Sequence, residues 1–509
     1  MTSARRSTAD ARLRLLAETV LQPGFAGTAP PDWLRRRLAA GLGGVLLFAR
    51  NTPDAGTTAA LTAALRAENP DVIVAADEEG GQVTRLESAT GSSWPGNAAL
   101  GHVDDPELTE QVAAEQGRFL ARAGIDLDYA PTADVNSDPA NPVIGVRSFG
   151  ADAAAAARHT AAFVRGMQGA GVAACAKHFP GHGDTRLDSH HDLPLLTLDR
   201  ETLHRRELLP FRAAISAGVR SVMAGHLLVP CLDPGNPASL SRPVLTGLLR
   251  RELGFQGLIV TDALEMKAVH RGADLPGLAV RAVAAGADVL CVGAQRTDEE
   301  LVLALRDALV AAVHNGSLDE ERLADAARRV GRLADWRRVA RRSAGTPAPV
   351  TADERAPLGR LAARRALELH RRPGAALPLG DAPVVVTLAA PAHAALDGPT
   401  AWGAAGPLAE LRPGTTGLGL SEDRLSPEVL DQVTAERSRP LVVVVRDAAR
   451  LAWVGRALRA LLERRPDAVV VELGWPGDDR PGAVHLATRS PSPVAARAAA
   501  ELLCGRLPE

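Results

Sequence analysis

Lysine is almost missing from this chain: Lys177 and Lys267 are its two lysines among 58 basic residues. Arginine carries the rest of the positive charge, so a retained lysine marks a candidate position where a compact ammonium fits and a planar guanidinium does not. Cysteine is also scarce. Cys175, Cys231, Cys291 and Cys504 are scattered with no CxxC pair, which argues against a zinc knuckle or a disulfide framework and predicts reduced, buried thiols. Neither sign of charge is in excess, with 58 basic against 60 acidic residues. The molecule as a whole therefore has no field to recruit nucleic acid or an anionic membrane, and any ligand must be recognised locally. The opening MTSARRSTADARLRLLAETVLQPGF lacks the apolar run of about 7 to 15 residues that a secretory signal needs. No window approaches the roughly 18 apolar residues of a membrane span. The expectation is a cytoplasmic protein with no membrane partner.

What is present is enough apolar surface for a large core. Hydrophobic residues make up 46% of 509, a composition too apolar for disorder and a length that favours two domains. Short apolar runs alternate with Ala/Leu-rich stretches of helical spacing such as TAALTAALRAENP, a βα rhythm. Eight candidate strands follow in order: 18–24, 43–49, 71–77, 125–131, 172–178, 221–227, 257–263 and 287–293. Eight such units predict a (β/α)8 TIM-type barrel over residues 1–340. A doubly wound open sheet would more often carry a Gly-rich phosphate loop after its first strand, and none is present. Residues 341–374, which include SAGTPAPVTADERAP, read as a linker. Residues 375–509 contain APVVVTLA, RPLVVVVRD and DAVVVELGW and predict a C-terminal α/β (αβα) sandwich domain. No solenoid repeat is visible.

Barrel enzymes gather their chemistry at the C-terminal ends of the strands, and several runs here end in a polar side chain: Asp77, Lys177 with His178, His226, and Asp262. The segment AKHFPGHGDTRLDSHHDLP (176–194) holds four of the 13 histidines within 14 residues. Three readings of this cluster stand side by side. The imidazoles and nearby carboxylates could bind a metal; one histidine could shuttle protons while a carboxylate orients it; or the loop could satisfy only its own backbone. Against metal, the first strand, VLQPGF, offers no HxH pair. The Asp188-Ser189-His190 spacing suits a dyad on a bent loop. Asp262, in GLIVTDALEM, is either the N-cap of the next helix or a carboxylate nucleophile facing a proton donor, as in a retaining glycosidase.

Taken together, KHFPGHGDTRLDSH, VIVAADEEGGQVTRL, NPVIGVRSFG and LGFQGLIVTDALEM resemble the β-N-acetylglucosaminidase branch of glycoside hydrolase family 3, with matches in the expected order from about residue 70 to 270. The resemblance implies a barrel-borne enzyme in which Asp262 is the nucleophile and His190, held by Asp188, is the general acid/base. It also implies a sugar subsite of Asp77, Arg85, Arg147, Lys177 and His178, with no metal or organic cofactor. The chain departs from the commonest family wording at ADEEGG and GVRSFG, and both departures leave Asp77 and Arg147 in place.

On this reading Asp262 attacks the anomeric carbon while His190 protonates the leaving oxygen, and water activated by neutral His190 then releases the sugar with retained configuration. The implied substrate is a terminal β-linked N-acetylglucosamine, from peptidoglycan-derived muropeptides in cell-wall recycling. Two rivals remain open at this stage. One is a phosphorylase using the same nucleophile, since a histidine repels incoming phosphate less than a carboxylate would. The other is a non-catalytic sugar-binding protein on a barrel scaffold.

Overall fold

A computed structural model describes residues 3–507 apart from 189–191, 271, 273, 294–296, 346–351 and 390–402. Its chain divides into two compact units: residues 1–79, 106–144 and 151–349 form one, and 80–105, 145–150 and 350–509 form the other.

The first unit is built on parallel strands, and each of the eight candidate runs overlaps one: β1 (Leu21–Pro23), β2 (Gly44–Leu47), β3 (Ile73–Ala76), β4 (Leu127–Asp128), β5 (Ala173–Phe179), β6 (Ser221–Ala224), β7 (Leu258–Thr261) and β8 (Leu290–Val292). Strands β2 to β7 form one six-stranded sheet in sequence order. A parallel bridge from Val260 to Val289 continues it toward β8, and β8 pairs in parallel with β1. The β1 segment reaches back to β2 through Gly43 N–H donating to Glu18 O at 3.2 Å and the Gln22 amide donating to Val45 O at 3.4 Å.

One hydrophobic cluster shows how far this sheet curls. Leu46, Ile73, Ala75, Leu127, Ala173, Cys175, Met223, Leu258, Val260 and Cys291 belong to seven strands, yet they pack together. One face of seven strands can meet in a single core only when the sheet wraps on itself. Val330, Leu333 and Ala334 of the helix Glu320–Ala344 join the same cluster.

The flanking helices begin where the sequence supplies a cap. Asp54, Asp152, Asp274, Asp298 and Asp319 each accept a backbone N–H from the first turn of the helix that follows, an arrangement typically contributing about 1 kcal/mol per cap. At the N-terminal ends of the strands, buried aspartates tie the sheet to arginines. Asp126 meets Arg66 at 2.7 Å, Arg341 at 3.0 Å and Arg337 at 3.3 Å. Asp288 meets Arg322 at 2.5 Å and also Arg250.

The second unit contains a six-stranded sheet of β9 (Glu368–Arg371), β10 (Val384–Leu388), β11 (Thr416–Leu420), β12 (Leu441–Val445), β13 (Val469–Glu472) and β14 (Val484–Ala487). Its spatial order is β9-β14-β13-β12-β10-β11, with β9 antiparallel and the rest parallel. Alternation along each strand feeds two cores. Val385, Val442, Val444 and Val471 pack with Leu408, Ala499 and Leu503, while Val386, Val443, Val445 and Val470 pack with Leu430, Trp453 and Leu458. Two apolar faces account for the near-continuous valine runs. Among the described residues no helix is long and apolar enough to cross a membrane.

Candidate active site

Polar side chains follow the curled sheet's strands at their C-terminal ends, as the parallel arrangement requires. Asp77 comes directly after β3, and Lys177 and His178 stand within β5. The Lys177 ammonium lies 2.7 Å from Asp77 Oδ1 and 2.7 Å from Glu79 Oε1. Only 2% of Lys177 is exposed, so two carboxylates compensate a charge that burial would otherwise penalise heavily. Thr132 Oγ1 donates to the other Glu79 oxygen at 3.2 Å. Below this group, burial pushes the Asp128 carboxyl well above the usual carboxylate range, and Asp128 accepts the Glu78 N–H at 2.9 Å.

His178 is oriented from the segment that follows β4. Its Nδ1 lies 2.7 Å from Asp134 Oδ2, and Asp134 also accepts the backbone N–H of His182 at 2.7 Å. His182 turns its own Nδ1 to Thr185 Oγ1 at 2.7 Å, while Asn141 donates to the His182 carbonyl at 2.8 Å. The two imidazoles meet edge to face with centroids 5.9 Å apart. Among the described residues, no group of three or more His, Cys, Asp or Glu side chains is arranged to hold a metal ion.

Asp262 follows β7, its N–H donating to Ala224 O at 3.0 Å and its Oδ1 accepting the Ala263 N–H at 2.8 Å. The next helix is Lys267–His270, too far along the chain for Asp262 to be its N-cap, which removes that alternative. Burial raises the Cys291 thiol well above its ordinary value, and the charges of Glu265, Asp262 and Asp77 add to the effect. The carboxylates after β3 and β7 thus act on one interior side chain. His226, another strand-end candidate, is buried with both ring nitrogens engaged: Nδ1 pairs with Ser239 Oγ at 2.6 Å and Nε2 with Ala263 O at 3.0 Å.

Not every expected residue enters this group. Asp188 is described, with its carbonyl accepting the Asp192 N–H at 3.0 Å, but His190 lies outside the described residues. Arg85 and Arg147 fall in the segments that cluster with the second unit, where both are buried and the Arg147 carbonyl accepts from Asn97 Nδ2 at 2.7 Å. Sequence reasoning missed Asp134, Glu79 and Thr132. The strand-end rule that selected Asp77 applies equally to PTADVN after β4, so a signal for Asp134 existed.

Comparison with known proteins follows the same outline. The Glycosyl hydrolase family 3 N terminal domain matches residues 32–333. Beta-hexosaminidase A of Pseudoalteromonas piscicida is 33% identical over 334 residues, covering 60% of this chain and 55% of its own length. This chain therefore spans little more than half of that relative. The beta-hexosaminidase of Pseudomonas aeruginosa strain LESB58 is 37% identical over 263 residues, 52% of this chain and 78% of its own. Among solved structures, a glycoside hydrolase family 3 beta-N-acetylglucosaminidase from Paenibacillus sp. str. FPU-7 superposes with a TM-score of 0.86 at 34% identity, covering 97% of both chains. The domain match extends across well over half of the sequence and takes in the strand ends that carry Asp77, Lys177, His178 and Asp262, so this chain belongs to glycosyl hydrolase family 3.

Proposed function

We propose that this protein is a retaining β-N-acetylglucosaminidase whose barrel closes between β1 and β2. Asp262 is the nucleophile and His190, oriented by Asp188, the general acid/base. Asp77, Lys177 and His178 bind the sugar, and the family resemblance assigns Arg85 and Arg147 to it as well. The observation that supports the reading is a carboxylate directly after β7 of the same curled sheet whose β3 and β5 ends carry the Asp77–Lys177 and His178–Asp134 pairs. Polyhydroxylated ligands need such fixed donors and acceptors, and displacement at an anomeric carbon needs a carboxylate that can become an ester. Relatives named for hexosaminidase and N-acetylglucosaminidase activity support the substrate class. The natural source we assign is a muropeptide fragment of peptidoglycan met in the cytoplasm.

In the first step the Asp262 oxygen attacks the anomeric carbon as the glycosidic C–O bond breaks and the His190 proton passes to the departing oxygen. In the second, neutral His190 takes a proton from water, which displaces Asp262 and restores the original configuration. The test is hydrolysis of p-nitrophenyl β-N-acetylglucosaminide in phosphate-free buffer with chelator, repeated with phosphate, with product identity and anomeric configuration read by NMR. Free β-N-acetylglucosamine in both buffers is expected, and Asp262→Ala should lower kcat on the order of 10⁴-fold or more. A sugar 1-phosphate as main product would make the protein a phosphorylase; sugar binding without turnover would make it a binding protein.

A further inference from the structure

Asp134 lies beyond β4 and takes no part in the steps above, yet it is fully buried against the imidazole assigned to the sugar. Its Oδ1 accepts the backbone N–H of His182 at 2.7 Å, the His178 N–H is shared between Oδ1 at 3.1 Å and Oδ2 at 3.2 Å, and Oδ2 also faces His178 Nδ1 at 2.7 Å. Burial by itself would favour the protonated acid, but the interactions with His178 and His182, hydrogen bonds among them, hold this carboxyl below the usual range. An ionised carboxylate has no proton to give, so the proton between the two groups belongs to Nδ1.

We propose that Asp134 is a positioning residue for sugar binding: it fixes the His178 ring with its proton on Nδ1 and thereby decides what Nε2 offers to a sugar hydroxyl. The inference rests on His178 being a sugar ligand. Asparagine at this position supplies the critical contrast. Its amide oxygen can still receive the two backbone N–H groups at the Oδ1 position, which leaves the NH2 facing Nδ1. That NH2 needs an acceptor, so the neutral ring must move its proton to Nε2 and present a donor where the parent presents a lone pair.

The experiment combines ¹⁵N-histidine NMR with kinetics on four proteins: wild type, Asp134→Asn, His178→Gln and the double variant, the His178 signals being assigned by their loss in His178→Gln. The wild type should show the Nδ1–H tautomer and Asp134→Asn the Nε2–H tautomer. Asp134→Asn should also lower kcat/KM roughly tenfold or more, while adding little in the His178→Gln background, because the two changes break one interaction. An unchanged tautomer in Asp134→Asn would overturn the proposal. So would an equal loss of kcat/KM with and without His178, since that would mean Asp134 acts through the fold alone. Failure of the hydrolase reading is seen separately, as no turnover by the wild type. In that event calorimetric affinity for N-acetylglucosamine, measured on the same four proteins, replaces kcat/KM and is judged by the same two criteria.

Discussion

Burial raises the Glu207 carboxyl to about 7 even though Arg206 beside it pulls the other way. Its Oε1 accepts from Arg206 Nε at 2.6 Å, and the same guanidinium reaches Asp184 at the start of the loop that leads to Asp188. A carboxyl whose pKa is higher in the folded than in the unfolded chain stabilises the fold below the unfolded value, near 4.5, and loses that contribution as pH rises through 7. The span allows a loss of up to about 3 kcal/mol. Glu207→Gln should flatten the fall in urea midpoint between pH 5 and pH 8, and an unchanged slope would show that Glu207 is not the group responsible. Residue chemistry was partly legible in advance. Lys177 stood out because the chain keeps so few lysines, and in the structure its single ammonium is buried against two carboxylates, Asp77 and Glu79. Glu79 itself read as an ordinary loop acid, since nothing local to ADEEGG points to a partner about a hundred residues away.

At the scale of elements, the loop after β5 is held by close approach as much as by hydrogen bonds. A Cβ on Gly183 would come within 1.7 Å of Val135 O and 2.4 Å of its carbonyl carbon, so any side chain there must push the loop away from the segment carrying Asp134. Gly183→Ala should cost about 1 to 3 kcal/mol, read as a lowered Tm, and should depress activity more than an alanine at Gly169, where a Cβ meets nothing within 4 Å. Regular elements were readable wherever one pattern dominated. The valine runs APVVVTLA, RPLVVVVRD and DAVVVELGW each contain a strand. Three strands of this sheet escaped notice: the interior strand Val484–Ala487, only four residues long, and the edge strands Glu368–Arg371, highly charged, and Thr416–Leu420, which carries two glycines and is largely exposed. An edge strand owes its place to a neighbour's hydrogen bonds more than to its own apolar pattern. The strand-end rule also finds its counterpart here: Asp77 and Asp262 follow strands and belong to the proposed site, whereas Asp126 and Asp288 precede them and anchor arginines.

Across the whole molecule, all four cysteines are free thiols: Cys175, Cys291 and Cys504 are buried and Cys231 is partly accessible. Burial drives the Cys175 thiol up to about 12. Since only an accessible thiolate reacts quickly, a disulfide reagent should label a single fast thiol in the native protein and four after denaturation. Cys231→Ser should abolish the fast phase. A second fast thiol would contradict the burial of the other three. The expectation of reduced, buried cysteines came from the lack of CxxC spacing and the burial habit of free cysteine, and it holds for burial at three of the four, Cys231 being partly accessible.

Amino-acid order by itself determined the βα rhythm, the helix caps, the valine-rich strands and the strand-end positions of Asp77, Lys177, His178 and Asp262, because each depends on neighbours within a turn or a strand. Only the tertiary structure decided which carboxylate holds which cation. Asp134 and His178 are 44 positions apart and Asp77 and Lys177 are 100 apart. Such pairs form when parallel strands align in register, and a charge is assigned a partner only once burial has stripped it of water. The same holds for residues 80–105 and 145–150, which cluster with the C-terminal sheet although they lie between strands of the first unit: no local pattern records which core a segment will join, because that choice is settled by the apolar surface available after the chain has folded.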